Sequence, residues 1–223
     1  MKLNWIPVFL ACTAGAHAAV SFHSIVDISS STAESDLWAV SNLVQGPGVG
    51  FNAEEPYEKI LGGADGNWVT DAPGGFPSDY IAAAGAPILT IDLGSDQALF
   101  EISAWGYAST NANGVSAFSL RFATDAEGTG GFGSSITFNP SYNMSNDDVS
   151  RQSFVFGETV NARYVEMTLD DNHFVAPGDG SGGETPGGDR VGLGEVAFSV
   201  IPEPSAALLG LLGLGLLMRR SRR

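Results

Sequence analysis

The stretch Pro87-Ile88-Leu89-Thr90-Ile91-Asp92-Leu93-Gly94 decides the fold class of this chain. Its aliphatic side chains alternate with Thr90 and Asp92, and a period of two is typical of a strand with one buried face. Gly94 follows the last apolar residue, and glycine is a frequent turn residue at the end of a strand. The stretch therefore predicts a β-strand that turns alternate side chains towards a core.

The same alternation recurs outward from this stretch. It runs through residues 100–104, 118–122, 165–169 and 196–200, with shorter candidate strands at 21–28, 134–138 and 152–156. No helical pattern of ten residues stands out, although residues 34–44 have room for a turn or two. Two antiparallel sheets that bury one face each form a sandwich. We therefore predict an all-β antiparallel β-sandwich with jelly-roll topology.

The composition excludes several classes of protein. The chain has 223 residues, 43% of them hydrophobic and 16% charged, which suits one folded domain rather than a disordered chain or a coiled coil. A net charge of −15 argues against nucleic-acid binding. The single cysteine, Cys12, excludes a disulfide scaffold and a thiolate zinc cluster. The acidic surface suits either a solvated face in a salty medium or the binding of divalent cations.

The first 18 residues have the features of a secretory signal peptide. Lys2 is followed by the apolar stretch 5–11, and Ala16-His17-Ala18 provides the small residues that signal peptidase accepts. We predict cleavage after Ala18, which makes signal peptidase a partner during export. The alternative, a lipoprotein modified at Cys12, is disfavoured by the bulky Phe9 and Leu10 before it.

The other end of the chain combines three features in a fixed order. Pro202, Glu203 and Pro204 precede the apolar stretch 205–218, and the chain closes on four arginines, namely Arg219, Arg220, Arg222 and Arg223. As a helix this stretch is about 21 Å long, shorter than the roughly 30 Å hydrocarbon core of a bilayer. The arginines favour a cytoplasmic position for its end. A buried amphipathic helix is the alternative, but the stretch is apolar on every face.

These features resemble the PEP-CTERM sorting signal, over residues 201–223. The resemblance implies a Gram-negative host and an exosortase that recognises and processes the tail near the motif. It also implies transient association with the inner membrane through the hydrophobic helix. The protein would then reside at the cell surface or in extracellular polymer.

Three segments of the body, residues 19–200, resemble the galactose-binding-like or discoidin (coagulation factor type C) domain. They are residues 64–70, residues 87–94, and the pair 162–172 with 192–198. The resemblance covers roughly residues 36–200. It implies an eight-stranded jelly-roll sandwich that binds sugars through the loops at one end.

The resemblance also implies one structural Ca²⁺ between the Asp-Gly turn and the last strand. The matching positions are Asp65, Asn67 and Glu195. This sequence departs from the family's pattern because only Asn67 stands between Gly66 and Trp68. The alternative is that Asp65 and Gly66 form a tight turn without a metal.

The candidate ligand-binding residues lie in two long glycine-rich stretches, 62–87 and 170–192. In the family, aromatic side chains of such loops stack on sugar rings. The candidates of this kind are Trp105, Tyr107, Phe76, Tyr80, His173 and Phe174, and the preferred ones are Tyr80, His173 and Phe174. Trp38, Trp68 and Trp105 are instead expected in the core, because tryptophan gains most from burial.

Nothing in the body predicts catalysis. His23 and His173 do not form a pair with metal-ligand spacing. Ser181 is flanked by glycines, but no strand leads into it as a nucleophile elbow requires. Two hypotheses remain: a non-catalytic carbohydrate-binding module for exopolysaccharide, or a structural envelope or matrix protein without a specific small ligand.

Overall fold

The computed structural model describes residues 22–46, 64–107, 110–144 and 149–201, apart from the side chain of Asp65. The predicted signal peptide, 1–18, and residues 202–223 of the predicted sorting signal lie outside the described residues. Within the ranges given above, no helix is long and apolar enough to cross a membrane.

Short helices and nine strands make up the regular structure of the described residues. The helices are α1 at Tyr80–Ala84 and three 3₁₀ turns at Val40–Val44, Ala64–Gly66 and Gly128–Gly130. The strands are β1 Phe22–His23, β2 Asp27–Ser30, β3 Trp68–Val69, β4 Ile88–Trp105, β5 Val115–Ala123, β6 Ile136–Phe138, β7 Arg151–Asn172, β8 Gly192–Leu193 and β9 Glu195–Val200. The predicted all-β class is confirmed.

The strands pair antiparallel throughout. Seven of them form one sheet in the order β1-β9-β4-β7-β5-β6, with β2 paired to β4, and β3 pairs separately with β8. The predicted strands around 88–94 and 100–104 are one continuous strand, β4, with an irregular register between Asp92 and Gln97. Gly94 has φ +81°, so the backbone changes direction there without leaving the sheet.

Strand β7 contributes to both layers of the sandwich. Its residues 164–172 pair with β5 along the sheet. Its earlier residues Phe154 and Phe156 instead place their rings 5.3 and 5.2 Å from Phe118 and Phe122 of β5. Because the same two strands are hydrogen-bonded at one place and packed ring against ring at another, β7 must bend over the core.

The alternating side chains fill this core. Leu89, Ile91 and Leu93 are at most 1% exposed, as their period of two predicts. Trp68 and Trp105 are completely buried, whereas Trp38 is half-buried with its ring 5.9 Å from that of Tyr107. Each fully buried aliphatic or aromatic side chain contributes roughly 1.5–3 kcal/mol to folding. This rigid core fixes the strand ends from which the loops emerge.

Candidate functional site

Four connecting segments converge at one end of the sandwich, which we call the loop end. They are residues 31–35, 70–87, 110–114 and 173–191. Backbone hydrogen bonds join them to one another: the amide of Asp71 donates to Ala33 (3.2 Å), that of Ala112 to Pro186 (2.9 Å), and that of Tyr80 to Gly188 (2.8 Å). The loop end is therefore one connected surface although its segments are far apart in sequence.

Two buried asparagines hold the long segment 173–191 in place. Asn172, the last residue of β7, is 3% exposed and donates from Nδ2 to the carbonyls of Gly188 and Arg190, both at 2.9 Å. Its Oδ1 accepts the amide of Phe174 at 3.0 Å. From the neighbouring segment, the Oδ1 of Asn113 accepts the amide of Gly188 at 2.6 Å. These hydrogen bonds fix the backbone conformation of the glycine-rich segment 173–191.

A cavity of about 600 Å³ opens at the loop end. Its lining includes Thr32, Asp71, Pro73, Tyr80 and Arg190. Sites for small ligands commonly have volumes of about 300–1,000 Å³ and combine apolar walls with a few polar groups. This cavity has both, and it is large enough for a sugar residue.

Arg190 is the cation of this cavity, and its pairing differs from that of the other described arginines. Its Nη1 donates to the carbonyl of Thr70 at 2.7 Å, but its ion pair with Asp189 is 4.0 Å long. Arg151 and Arg163 pair with carboxylates at 3.0 and 2.8 Å, and Arg121 pairs closely with Glu166. Among the arginines of the described ranges, Arg190 therefore has the weakest carboxylate contact.

Asp71 lines the same cavity and is exposed. A carboxylate accepts hydrogen bonds and a guanidinium donates them, so Asp71 and Arg190 offer complementary partners to hydroxyl groups, which do both. Sequence reasoning missed both residues as site residues. The available signal was weak: Arg190 is one of the few basic residues of the body and lies within the glycine-rich stretch 170–192.

The three predicted ligand-binding residues take different positions. Tyr80 is 2% exposed and forms a wall of the cavity. Phe174 packs beneath the loop, so close that a Cβ on Gly188 would lie 2.5 Å from its own Cβ. His173 is half-buried, its Nε2 has no hydrogen-bond partner among the described residues, and burial lowers its pKa. Only Tyr80 lies in the cavity lining, and the role of all three stays a prediction.

An exposed aromatic residue lies near the cavity in the same segment. Phe76 is 59% exposed, three residues after the lining residue Pro73. Exposed aromatic rings suit stacking against the apolar face of a sugar. Phe76 is one of the aromatic candidates that the sequence offers, and its exposure agrees with that prediction.

The residues predicted to bind calcium lie around the 3₁₀ turn Val40–Val44. Glu195 is 2% exposed, its Oε1 accepts the amide of Gly46 at 3.1 Å, and burial raises the pKa of its carboxyl to about 8. Asn67 is fully buried, and its carbonyl accepts Nδ2 of Asn42 at 2.9 Å. The side chain of Asp65 lies outside the described residues.

The described oxygen atoms of this set are already hydrogen-bonded to N–H groups of the protein. Ca²⁺ requires six to eight oxygen ligands. The carbonyls of Ala64 and Asn67 are paired with the side-chain amide of Asn42, and Oε1 of the Glu195 carboxyl group is paired with the backbone amide of Gly46. No group of three or more His, Cys, Asp or Glu side chains suited to a metal occurs in the part of the chain that the structure describes. Calcium stays a prediction from the resemblance.

Comparison with solved structures identifies the fold of the chain. No family model and no curated protein matches the chain. Two CBM32 domains of Clostridium perfringens ZmpB, in complex with GalNAc, superpose with a TM-score of 0.51 at 9% identity, over 80% of this chain and 35% of that one. The fold is galactose-binding-like.

Two further solved structures have slightly lower TM-scores. A CBM32 domain from a family 31 glycoside hydrolase of Clostridium perfringens is 16% identical over 80% of this chain and 92% of its own, with a TM-score of 0.49. A fucose-binding module of Streptococcus pneumoniae is 10% identical over 82% of this chain and its own full length, with a TM-score of 0.47.

Proposed function

We propose that the chain is a non-catalytic carbohydrate-binding module that holds extracellular polysaccharide in the loop-end cavity. The observation that carries the proposal is the cavity itself, in which Asp71 and Arg190 present an acceptor and a donor beside the apolar wall of Tyr80. The galactose-binding-like fold is compatible with it, since the ZmpB domains of that fold bind GalNAc.

The chemistry of the cavity suits a sugar residue. The guanidinium of Arg190 is oriented by its bond to Thr70 and donates to hydroxyl oxygens. Asp71 accepts from hydroxyl groups of the same sugar. Phe76, three residues after the lining residue Pro73, offers an exposed ring on which the sugar's C–H face would pack.

The proposal includes delivery to the outside of the cell. Cleavage after Ala18 by signal peptidase and processing near Pro202–Pro204 by an exosortase would release the body, 19–200, to the cell surface or to extracellular polymer. The hydrophobic helix would hold the protein in the inner membrane only transiently.

Intact-mass analysis of the protein from the envelope and medium of its native host tests this delivery. We expect a mature chain that begins at Ala19 and ends near Pro202–Pro204, bare or with an added group. A mass that retains residues 205–223 would contradict processing and leave the protein in the inner membrane.

A glycan array probed with the purified chain tests the binding function. We expect a restricted set of sugars to bind, and Asp71→Asn to weaken the best of them by about tenfold to a hundredfold, because a hydrogen bond to a charged group contributes roughly 1.5–3 kcal/mol. Asp27→Asn, an exposed aspartate on β2, is the matched control and should bind as the parent does.

A blank array would favour the alternative, a structural envelope or matrix protein without a specific small ligand. If the Asp71→Asn variant binds the sugars as strongly as the Asp27→Asn variant does, the sugar-binding site is not in the loop-end cavity.

A further inference from the structure

The 3₁₀ turn Val40–Val44 packs against the elements that carry the predicted calcium ligands. It contacts the turn Ala64–Gly66 and strand β3 on one side and strand β9 on the other. The predicted ion would lie between that Asp-Gly turn and the last strand. A segment of the chain thus lies between the elements that the ion was expected to bridge.

Asn42 connects this segment to the Asp-Gly turn. Its Nδ2 carries two hydrogens and has two short acceptors, the carbonyls of Ala64 at 2.8 Å and Asn67 at 2.9 Å. A third carbonyl, of Leu37, lies at 3.5 Å. The opposite amide orientation would set Oδ1 against these carbonyl oxygens, so the hydrogen-bond network requires the nitrogen there.

The same segment is connected to β9 by its C-terminal end. The amide of Gly46 donates to the Oε1 of Glu195 at 3.1 Å, and the backbone of Gln45 also bonds this carboxyl group. Carbonyl oxygens on one side and the carboxyl group of Glu195 on the other are therefore both bound by N–H groups of residues 42–46.

We propose that the side-chain amide of Asn42, with the backbone amides of residues 45 and 46, takes the place of the calcium ion in this fold. The Asp-Gly turn and β9 are joined by protein groups, and the folded chain needs no calcium. Glu195 is then a hydrogen-bond acceptor for the segment rather than a metal ligand.

One substitution converts this arrangement into its metal-dependent counterpart. Asp has the shape of Asn, but Asn42→Asp places a carboxylate oxygen against the carbonyls of Ala64 and Asn67. Three oxygens without a proton repel one another, whereas Ca²⁺ binds carboxylate and carbonyl oxygens together. The variant should therefore be unstable without calcium and regain stability with it.

Thermal unfolding of the full chain, in EDTA and in millimolar CaCl₂, tests the proposal. The parent should unfold at the same temperature in both, within about 1 °C. Asn42→Ala should lower Tm by about 4–8 °C in both, because two hydrogen bonds are lost and each kcal/mol corresponds to about 2–4 °C in a chain of this size. In EDTA, Asn42→Asp should lower Tm by at least as much as Asn42→Ala does. In CaCl₂, the Tm of Asn42→Asp should recover by half or more of that loss.

Asn161→Asp is the matched control, since Asn161 is exposed on β7 and its substitution adds the same charge. Its Tm should not respond to calcium. A parent Tm that rises by several degrees with calcium would overturn the proposal, as would an Asn42→Ala variant as stable as the parent. A folded Asn42→Asp variant whose Tm is the same in EDTA and in CaCl₂ would overturn the proposal too. If Asn42→Asp does not fold in either buffer, the Tm values of the parent and of Asn42→Ala in the two buffers test the proposal.

Discussion

Asn172→Ala should destabilise the chain by about 3–5 kcal/mol and remove sugar binding at the same time. The substitution deletes two donated bonds and one accepted bond at a side chain that is 3% exposed. The carbonyl of Arg190 and the amide of Phe174 lose their partners, whereas the carbonyl of Gly188 keeps the amide of Tyr80. Each unsatisfied buried group costs roughly 1–3 kcal/mol. Because Arg190 lines the cavity, the loosened segment also loses the geometry of the site.

Urea unfolding and titration with the best array sugar measure the two effects. Asn161→Ala, at an exposed position of the same strand, is the control and should change the free energy of unfolding by less than about 0.5 kcal/mol. An Asn172→Ala variant with the parent's stability would show that the loop is held by other contacts. If the destabilised Asn172→Ala variant still binds the sugar at low temperature, residues 173–191 do not determine the geometry of the sugar-binding site.

Gly188→Ala should cost a comparable amount, about 3 kcal/mol or more, for a different reason. Gly188 has φ +91°, and a Cβ would lie 2.5 Å from the Cβ and 2.9 Å from the Cα of Phe174. The residue cannot move away, because its amide is bound by Asn113 and its carbonyl by Asn172 and Tyr80. A left-handed alanine costs about 1–2 kcal/mol by itself, and the clash adds to that cost.

Gly183→Ala is the control that isolates the backbone contribution. Gly183 has φ +90° in the same loop, but a Cβ there meets nothing within 4 Å. We expect a loss of about 1–2 kcal/mol for Gly183→Ala and a clearly larger loss for Gly188→Ala in the same urea experiment. Equal losses would mean that the loop relaxes around the new methyl group and that Phe174 is not fixed beneath it.

The sequence predicts the strands well because the signal is local. Leu89, Ile91 and Leu93 reveal a buried face through neighbouring residues alone. The continuity of β4 could not be predicted in this way, since Gly94 is a turn residue in sequence and a bend within a strand in the structure. Only the antiparallel partner β7, which pairs on both sides of the bend, determines which of the two occurs.

The candidate site depends on contacts that no local pattern contains. The amide of Val191 bonds the Oγ1 of Thr70 across 121 positions, and this contact brings Arg190 beside Asp71. Asn42 likewise meets its acceptors 22 and 25 positions later. Tyr80 was predicted because its residue type and glycine-rich surroundings are visible in sequence, whereas a single Asp or Asn is not distinctive.

The measurement that tests the central claim most directly is a titration of isotope-labelled chain with the best array sugar, followed by backbone amide chemical shifts. Another cavity, of about 210 Å³, lies beside Gly46 and Glu195 and has to be distinguished from the loop-end cavity. We predict that the amides of Ala33, Asp71 and Arg190 shift and saturate together. Shifts confined to Gly46, Glu195 and Val196, or no shifts at all, would contradict a sugar-binding site at the loop end.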